Sequence, residues 1–461
     1  MITLVGEDRL VPCVDGQDRR YVSLDAAAST AALPVVAERV NDFLPWYSSV
    51  HRGAGWKSQL ATAEYEEARG AMLRFAGGER RLERDDVAVI CRNTTEAINH
   101  LAYRLGLAED DVVVTTVVEH HANLLPWGRL ARRRYVECGA GGAFTVEDVV
   151  AGLEAPGGPP PRLLAVTGAS NVTGWLPPLD EIVAASHARG VPVLVDAAQL
   201  APHRPLPADA DYLAWSGHKM YAPYGSGVLV GPRQTFASGD PFLAGGGAVD
   251  LVDLDEVVWT DPPDREEAGS PNVLGAVALH AAIDALEGIG WVRIGDHDRS
   301  RAGQLRDGLA AIEGVRLLGP PPGSTATLPV AAFVVEGVPH ALVAARLSAE
   351  HAIGVRHGCF CAHPYLLRLL DLTGDEVAAY RAAVLAGDRS RMPGAVRASA
   401  GLSTTADDVG RFLAAVAQIT SGAAPPVSYD LDPHTGDYWP HTSDRAWSSA
   451  SRRLGASCAR G

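Results

Sequence analysis

The chain has 461 residues, of which 47% are hydrophobic and 21% charged, with a formal net charge of −15 at pH 7. This length can bury a large core and favours two domains, and the fractions are ordinary for a globular protein. The acidic balance argues against a nucleic-acid partner. The lack of any apolar run near ~18 residues argues against a membrane partner, and the lack of a charged-then-apolar leader points to a cytoplasmic protein.

In chain order, short apolar runs at 87–91, 112–114, 163–166, 193–195, 212–215 and 228–230 read as buried strands. Between them, 94–107 sets Ala97, Ile98, Leu101, Ala102 and Leu105 on one helical face, and 179–190 reads as another helix. Arg132-Arg133-Arg134 reads as the solvated end of a helix rather than a binding patch. Strands alternating with helices predict an α/β architecture, a mostly parallel sheet covered on both faces, with ligands at the carboxyl ends of the strands. Pro/Gly-rich loops at 156–161 and 319–323 separate regular elements. Beyond about 290 the texture changes to helices at 299–312 and 340–351 around a strand at 331–335. The expected organisation is a large domain over 24–290, a smaller α+β domain from 1–23 and 291–420, and a tail over 421–461. The tail carries Tyr429, Tyr438, Trp439 and Trp447, which argues for packing over the body, with its last dozen residues mobile.

Six cysteines in so long a chain make no disulfide scaffold. Cys13, Cys91, Cys138 and Cys458 are scattered, and Cys91 suits a small buried apolar role. Cys359-Phe360-Cys361-Ala362-His363 offers three ligand types in five residues, too tight for a closed zinc site without help. No metal site is expected.

Arginine occupies nearly every basic position; the lysines are only Lys57 and Lys219. Guanidinium can supply surface charge but cannot form a Schiff base, so a retained lysine points to amine chemistry. Lys219 closes Ser216-Gly217-His218-Lys219 after an apolar strand, and Asp196 ends the strand Val193-Leu194-Val195. A lysine for the carbonyl and an acid for the pyridine nitrogen are what pyridoxal phosphate (PLP) most needs. Asn93-Thr94-Thr95 opens a helix after a strand and suits a phosphate, although Thr94 would serve equally as a plain N-cap. Ser216 and His218 could donate to the same phosphate. In Glu119-His120-His121-Ala122-Asn123, His120 could stack on a cofactor ring, and adjacent histidines on an extended segment face opposite ways, which disfavours metal.

Taken together, the chain resembles the cysteine desulfurase and selenocysteine lyase branch of the class V aminotransferases, closest to the SufS-like group. The resemblance spans about 24–413. It rests on Leu24-Asp25-Ala26-Ala27-Ala28, Val50-His51-Arg52-Gly53, Thr94-Thr95-Glu96-Ala97-Ile98-Asn99, Glu119-His120-His121-Ala122-Asn123 and Ser170-Asn171-Val172 with Gly174. It continues through Asp196-Ala197-Ala198-Gln199, Ser216-Gly217-His218-Lys219, Ala268-Gly269-Ser270-Pro271-Asn272, Val355-Arg356 with Gly358 and Cys361-Ala362, and Arg397-Ala398-Ser399. The resemblance implies a PLP-dependent transferase of fold type I, working as a homodimer. It implies that Lys219 holds PLP and moves the Cα proton, Asp196 faces the pyridine nitrogen, and His120 stacks on the ring. Asn171 and Gln199 would lie near the phenolic oxygen. Thr94, Thr95, Ser216 and His218 would hold the phosphate, with Ser270 reaching in from a second subunit. Arg397, with Arg356 and Asn171 nearby, would bind the substrate carboxylate. Cys361 would take sulfur from cysteine as a persulfide, release alanine and pass the sulfur to an acceptor protein, and Cys359 would pack or act as a resolving thiol.

The chain departs from the group in four places. Gly168 stands where His is usual, which predicts a wider pocket, and Asn93 replaces a common Gly. An extra segment at about 370–393 falls next to the substrate mouth, and the tail beyond 421 exceeds what the fold needs. These departures keep open a C–S lyase that acts by β-elimination on a larger cysteine thioether or S-oxide. Aminotransfer or epimerisation would leave Cys361 without a role, and a sulfur-relay scaffold without turnover would leave Lys219, Asp196 and Arg397 without one.

Overall fold

In the computed structural model of the protein, which describes residues 2–156 and 158–441, the six apolar runs and the segment Arg132–Val136 form one seven-stranded sheet. Its strands are β1 (Asp86–Cys91), β2 (Val112–Thr116), β3 (Arg132–Val136), β4 (Pro161–Thr167), β5 (Val193–Asp196), β6 (Tyr212–Ser216) and β7 (Gly227–Pro232). The spatial order is β1-β7-β6-β5-β4-β2-β3. All pairs are parallel except those of β7, which runs antiparallel to both β1 and β6. β2, β5 and β6 are buried throughout, as expected of strands covered on both faces. The helix Thr94–Arg104 starts at Asn93, whose side chain accepts from the Glu96 N–H at 2.9 Å, so Asn93 and not Thr94 is the N-cap.

One local expectation is corrected. Arg132, Arg133 and Arg134 form the edge strand β3, not a helix end. The Arg134 guanidinium donates to the Gly152 carbonyl at 2.9 Å, Arg133 lies 5.5 Å over the Tyr135 ring, and Arg132 pairs with Asp110. Charged side chains on an edge strand block pairing with another chain.

Gly290, at φ 88°, separates the helix Val273–Ile289 from Trp291–Ala310, which starts eight residues before the expected 299 (299 − 291 = 8). The first of these packs in the large core and the second against a four-stranded antiparallel sheet. That sheet contains β8 (Val315–Leu318), β9 (Val330–Val335), β10 (Arg356–Gly358) and β11 (Ala395–Ser399), in the order β8-β9-β11-β10. Its own core unites Val22 and Leu24 with Leu305, Phe333, Leu347, Val396 and Phe412, so the start of the chain joins the C-terminal elements. No single helix among the described residues is long and apolar enough to cross a membrane.

The extra segment holds the helix Gly374–Leu385, opened by a capping box between Thr373 and Glu376 and contributing no buried side chain. The tail forms a hairpin of Tyr429–Leu431 with Tyr438–Pro440, which docks through the Tyr429 hydroxyl on Glu350 at 3.0 Å. Trp447, Cys458 and the last dozen residues lie outside the described residues.

Candidate active site

A cavity of about 710 Å³ opens at the carboxyl ends of β5 and β6. Of the site residues named from sequence, Thr94, Thr95, His120, Asn171, Asp196, Gln199, Ser216, His218, Lys219, Arg356, Cys361 and Arg397 all line it. Ser270 does not; it is exposed elsewhere on the same chain. Lys57 also lies elsewhere, donating to the Pro45 carbonyl at 2.8 Å beside Trp46.

Lys219 ends a short 3₁₀ turn, Gly217–Lys219, directly after β6. Burial, only partly offset by the Asp196 carboxylate, pulls its ammonium down to about 8. Asp196 ends β5 and is buried, which pushes its carboxyl up against the opposing pull of the Ala198 N–H and Lys219. One of its oxygens accepts from that N–H at 3.0 Å, while the other carries no hydrogen bond among the described residues. His120 caps the 3₁₀ turn His121–Asn123 through Nδ1, which accepts from the Ala122 N–H at 3.0 Å. Burial and the nearby Lys219 take its pKa down to about 3, so the ring is neutral with its proton on Nε2. His218 is held down to about 4 for the same two reasons.

At the other end of the cavity Thr94 N–H donates to Ser216 Oγ at 2.7 Å, and the two hydroxyls lie 2.6 Å apart. Thr95 is exposed to the cavity at the first turn of its helix. Hydroxyls, a neutral imidazole and the Thr95 N–H, which has no partner among the described residues, suit a phosphate. The Asp196 oxygen without a partner suits a protonated pyridine nitrogen, and the Lys219 amine a carbonyl. These residues therefore fit PLP.

Asn171 and Gln199 are already engaged: Asn171 Nδ2 donates to the Phe360 carbonyl and Gln199 Nε2 to the Ala27 carbonyl, both at 2.7 Å. Asn171 thus holds the loop that carries Cys361. Phe360 and Cys361 both have φ 54°, and the turn closes through Ala362 N–H to the Cys359 carbonyl at 3.0 Å. The Cys361 carbonyl accepts from His121 N–H at 2.7 Å, which leaves the thiol exposed on the cavity wall. Cys359 packs partly buried against the large core, and burial raises its thiol. His121 and His363 stack at 5.1 Å beside this turn, with burial lowering both.

Arg397 on β11 faces Arg356 on β10 in direct register. Two like charges at this spacing repel, and Asp25 bridges them, 3.0 Å from Arg397 and 3.6 Å from Arg356. Arg397 also donates to the Asn171 carbonyl at 2.9 Å and lies 5.2 Å over the Phe360 ring, while its Nε has no partner among the described residues. The role of Asp25 was not read from the sequence; its only signal was its place in the Leu24-Asp25-Ala26 motif. Glu119 was likewise missed. Fully buried, it accepts from Thr116 Oγ1 and Asn123 Nδ2 at 2.7 Å and from Thr167 N–H at 3.0 Å.

Gly168 does not widen the pocket. A Cβ there would stand 3.1 Å from the Leu200 Cβ and 3.2 Å from the Asp196 carbonyl, so Leu200 occupies the space.

Residues 22–412 match the family described as Aminotransferase class-V. A probable cysteine desulfurase of Halalkalibacterium halodurans is 35% identical over 386 residues, covering 81% of this chain and 92% of the relative. One of Halobacterium salinarum is 32% identical over 424 residues, covering 89% and 94%. Among solved structures, the apo cysteine desulfurase from Thermococcus onnurineus NA1 gives a TM-score of 0.75 at 31% identity, covering 87% of this chain and 95% of that one. The cysteine desulfurase CsdA (S-sulfonic acid) from Escherichia coli gives 0.72 at 31%, covering 88% and 96%.

Proposed function

Since the chain belongs to the class V aminotransferase family, whose members use PLP, we propose that it is a PLP-dependent cysteine desulfurase that splits L-cysteine into L-alanine and a persulfide on Cys361. What carries this reading is the meeting of Lys219, Asp196, Arg397 and Cys361 around one cavity.

When bound, PLP supplies an electrophilic carbonyl carbon and an electron sink for charge developing at the substrate Cα. Asp196 would hold the proton on the pyridine nitrogen, His120 would cover one ring face, and Thr94, Thr95, Ser216 and His218 would receive the phosphate. Lys219 Nζ would anchor the cofactor and, once released as a free amine, move the proton at Cα; burial, which lowers its pKa to about 8 in the apo protein, favours the neutral nucleophile. The Arg397 guanidinium, which spends one N–H on the Asn171 carbonyl and one on Asp25, would offer its remaining donors to the substrate carboxylate. Asp25 keeps Arg397 and Arg356 in place, acting as a positioning residue. Cys361 Sγ attacks the substrate sulfur: the new S–S bond forms on Cys361 as the C–S bond breaks, and the carbon skeleton leaves as alanine after protonation. Transfer of the sulfur to an acceptor restores the thiol.

We also propose that the protein acts as a homodimer. The hairpin Val249–Val252 with Val257–Trp259 leaves Leu251 64% and Leu254 98% exposed, an apolar arm that a second copy would cover. Ser270, exposed on its own chain, would then serve the neighbour's phosphate site. A cytoplasmic setting suits a persulfide-forming thiol, which needs reducing surroundings.

The test is the product made from L-cysteine and dithiothreitol by the PLP-loaded protein, beside Cys361→Ser. Alanine and sulfide, lost in the variant, are expected. Pyruvate made equally by both would replace this reading with β-elimination on a larger thioether.

A further inference from the structure

The outer wall of the cavity is built from two stretches that belong to this chain's departures from its family. Residues 389–393 follow the helix Gly374–Leu385, and residues 435–438 lie at and just beyond the tip of the tail hairpin; Arg389, Arg391, Thr435 and Tyr438 line the cavity. The two stretches hold each other. Arg389 N–H donates to the Pro433 carbonyl at 2.8 Å and its guanidinium to the His434 carbonyl at 3.0 Å. Gly436 lies so close that a Cβ there would stand 2.7 Å from the Arg389 carbonyl. From the inner side, His340 Nε2 meets the Met392 carbonyl at 3.1 Å and His357 pairs with Asp437 at 3.3 Å. The wall is thus a fixed part of the mouth.

Its charge is one-sided. Among the described residues, four arginines (Arg356, Arg389, Arg391 and Arg397) and Lys219 line the cavity against one carboxylate, Asp196, in a chain whose net charge is −15. The inner cations are engaged: Lys219 lies near Asp196, and Arg397 and Arg356 share Asp25. At the mouth, Arg389 and Arg391 are exposed, and neither forms an ion pair among the described residues. Arg391 acts electrostatically on the neighbouring Asp388, and Asp437 on the same wall is taken by His357.

Resting on the desulfurase reading above, we propose that this outer chamber receives the sulfur acceptor, and that the acceptor is a small thiol bearing a carboxylate. Cys361 opens onto the same cavity. The acceptor thiolate attacks the terminal sulfur of the Cys361 persulfide. A new S–S bond forms on the acceptor, the bond to Cys361 Sγ breaks, and Sγ leaves as thiolate. The acceptor departs as a persulfide, and no oxidant or reductant is consumed. Guanidinium groups lining a cleft concentrate anions and raise their encounter rate by roughly 10- to 1000-fold in favourable cases, and a carboxylate can be gripped through two N–H donors. A folded acceptor protein would have to reach Cys361 past the same wall.

The experiment needs no cofactor in its first arm. The full chain is treated with 2,2′-dithiodipyridine, with Cys361→Ala as the blank, so that Cys361 carries a neutral thiopyridine disulfide. Release of the thiopyridine by mercaptoacetate and by 2-mercaptoethanol is timed, each rate divided by that thiol's rate on the thiopyridine disulfide of free cysteine. The normalised preference for mercaptoacetate should be about tenfold. It should fall to about twofold or less in Arg391→Gln and in 1 M salt, where the Debye length shrinks to about 3 Å. Equal normalised rates, or a preference untouched by Arg391→Gln, would overturn the proposal. In the second arm the PLP-loaded protein receives L-cysteine with each thiol, and alanine and the acceptor persulfide are measured. Both should form, the persulfide faster with mercaptoacetate. Lack of alanine would overturn the desulfurase reading and the acceptor role with it. Alanine without charge preference would overturn the acceptor proposal alone, in favour of a protein acceptor.

Discussion

The amine of Lys219 is held near its charge transition, and that has a kinetic consequence. With a pKa of about 8, roughly a tenth of the amine is neutral at pH 7 and about nine-tenths at pH 9. Capture of PLP by the apo protein should therefore accelerate by nearly an order of magnitude over that range, with a midpoint near 8, as followed by the absorbance of the bound cofactor in rapid mixing. A flat profile would mean that the amine is not the titrating nucleophile. Glu119 is perturbed in the opposite sense: burial drives it up to about 8 despite the donors from Thr116, Asn123 and Thr167, against about 4.3 in an unfolded chain. The folded protein binds the extra proton, so this contribution to stability is complete below the unfolded value and is lost as pH rises through about 8. Urea midpoints at pH 6 and pH 9 should therefore drop less in Glu119→Gln than in the wild type. Lys219 was legible in the sequence because lysine is so scarce, and Asp196 because it ends an apolar run. Asp25 was not, since a partner 372 residues away along the chain leaves no local pattern. Gly168 misled because its neighbour in space, Leu200, is invisible to any reading of a short segment.

At the scale of elements, the turn that presents Cys361 is strained for a purpose. Two consecutive residues at φ 54°, closed by Ala362 N–H to the Cys359 carbonyl, follow the type I′ pattern that normally calls for Asn-Gly. Each non-glycine residue there costs on the order of 1–2 kcal/mol. The turn persists because its surroundings hold it: Asn171 bonds the Phe360 carbonyl, His121 bonds the Cys361 carbonyl, and the Phe360 side chain is buried under Arg397. Phe360→Gly relieves about 1 kcal/mol of strain but removes a buried ring worth about 3–5 kcal/mol. Net destabilisation of about 2–4 kcal/mol is expected in urea unfolding, and a variant as stable as the wild type would show that the ring contributes little to holding the turn. Sequence periodicity located the central strands well because buried parallel strands are nearly continuous apolar runs. It misread Arg132-Arg133-Arg134, because an edge strand tolerates charge that a central strand does not.

At the scale of the whole molecule, the parts least legible in the sequence are those whose partners lie outside the local pattern. The 340–351 helix appears where its periodicity set it, but the mouth wall depends on an exposed helix, a loop and a distant hairpin meeting in space. The apolar arm over Val249–Val252 and Val257–Trp259 alternates poorly and, within one chain, buries little: Leu251, Val252, Leu254 and Val258 are all more than half exposed. An arm of that kind on an isolated chain would be an aggregation liability, whereas in a symmetric pair each copy covers the other's. Replacing Leu251 and Leu254 together by Glu removes two apolar anchors and introduces like charges on both arms of the pair. If the substitutions on the two copies together cost about 3 kcal/mol, the dimer dissociation constant should rise on the order of 100-fold, read as a monomer–dimer shift in sedimentation equilibrium. Because Ser270 would serve the neighbour's phosphate site, PLP retention should fall in the same dilution range as the dimer. A variant that stays dimeric at wild-type concentrations would remove the arm from the interface. A variant that becomes monomeric yet retains PLP fully would keep the arm there but take Ser270 out of the cofactor site.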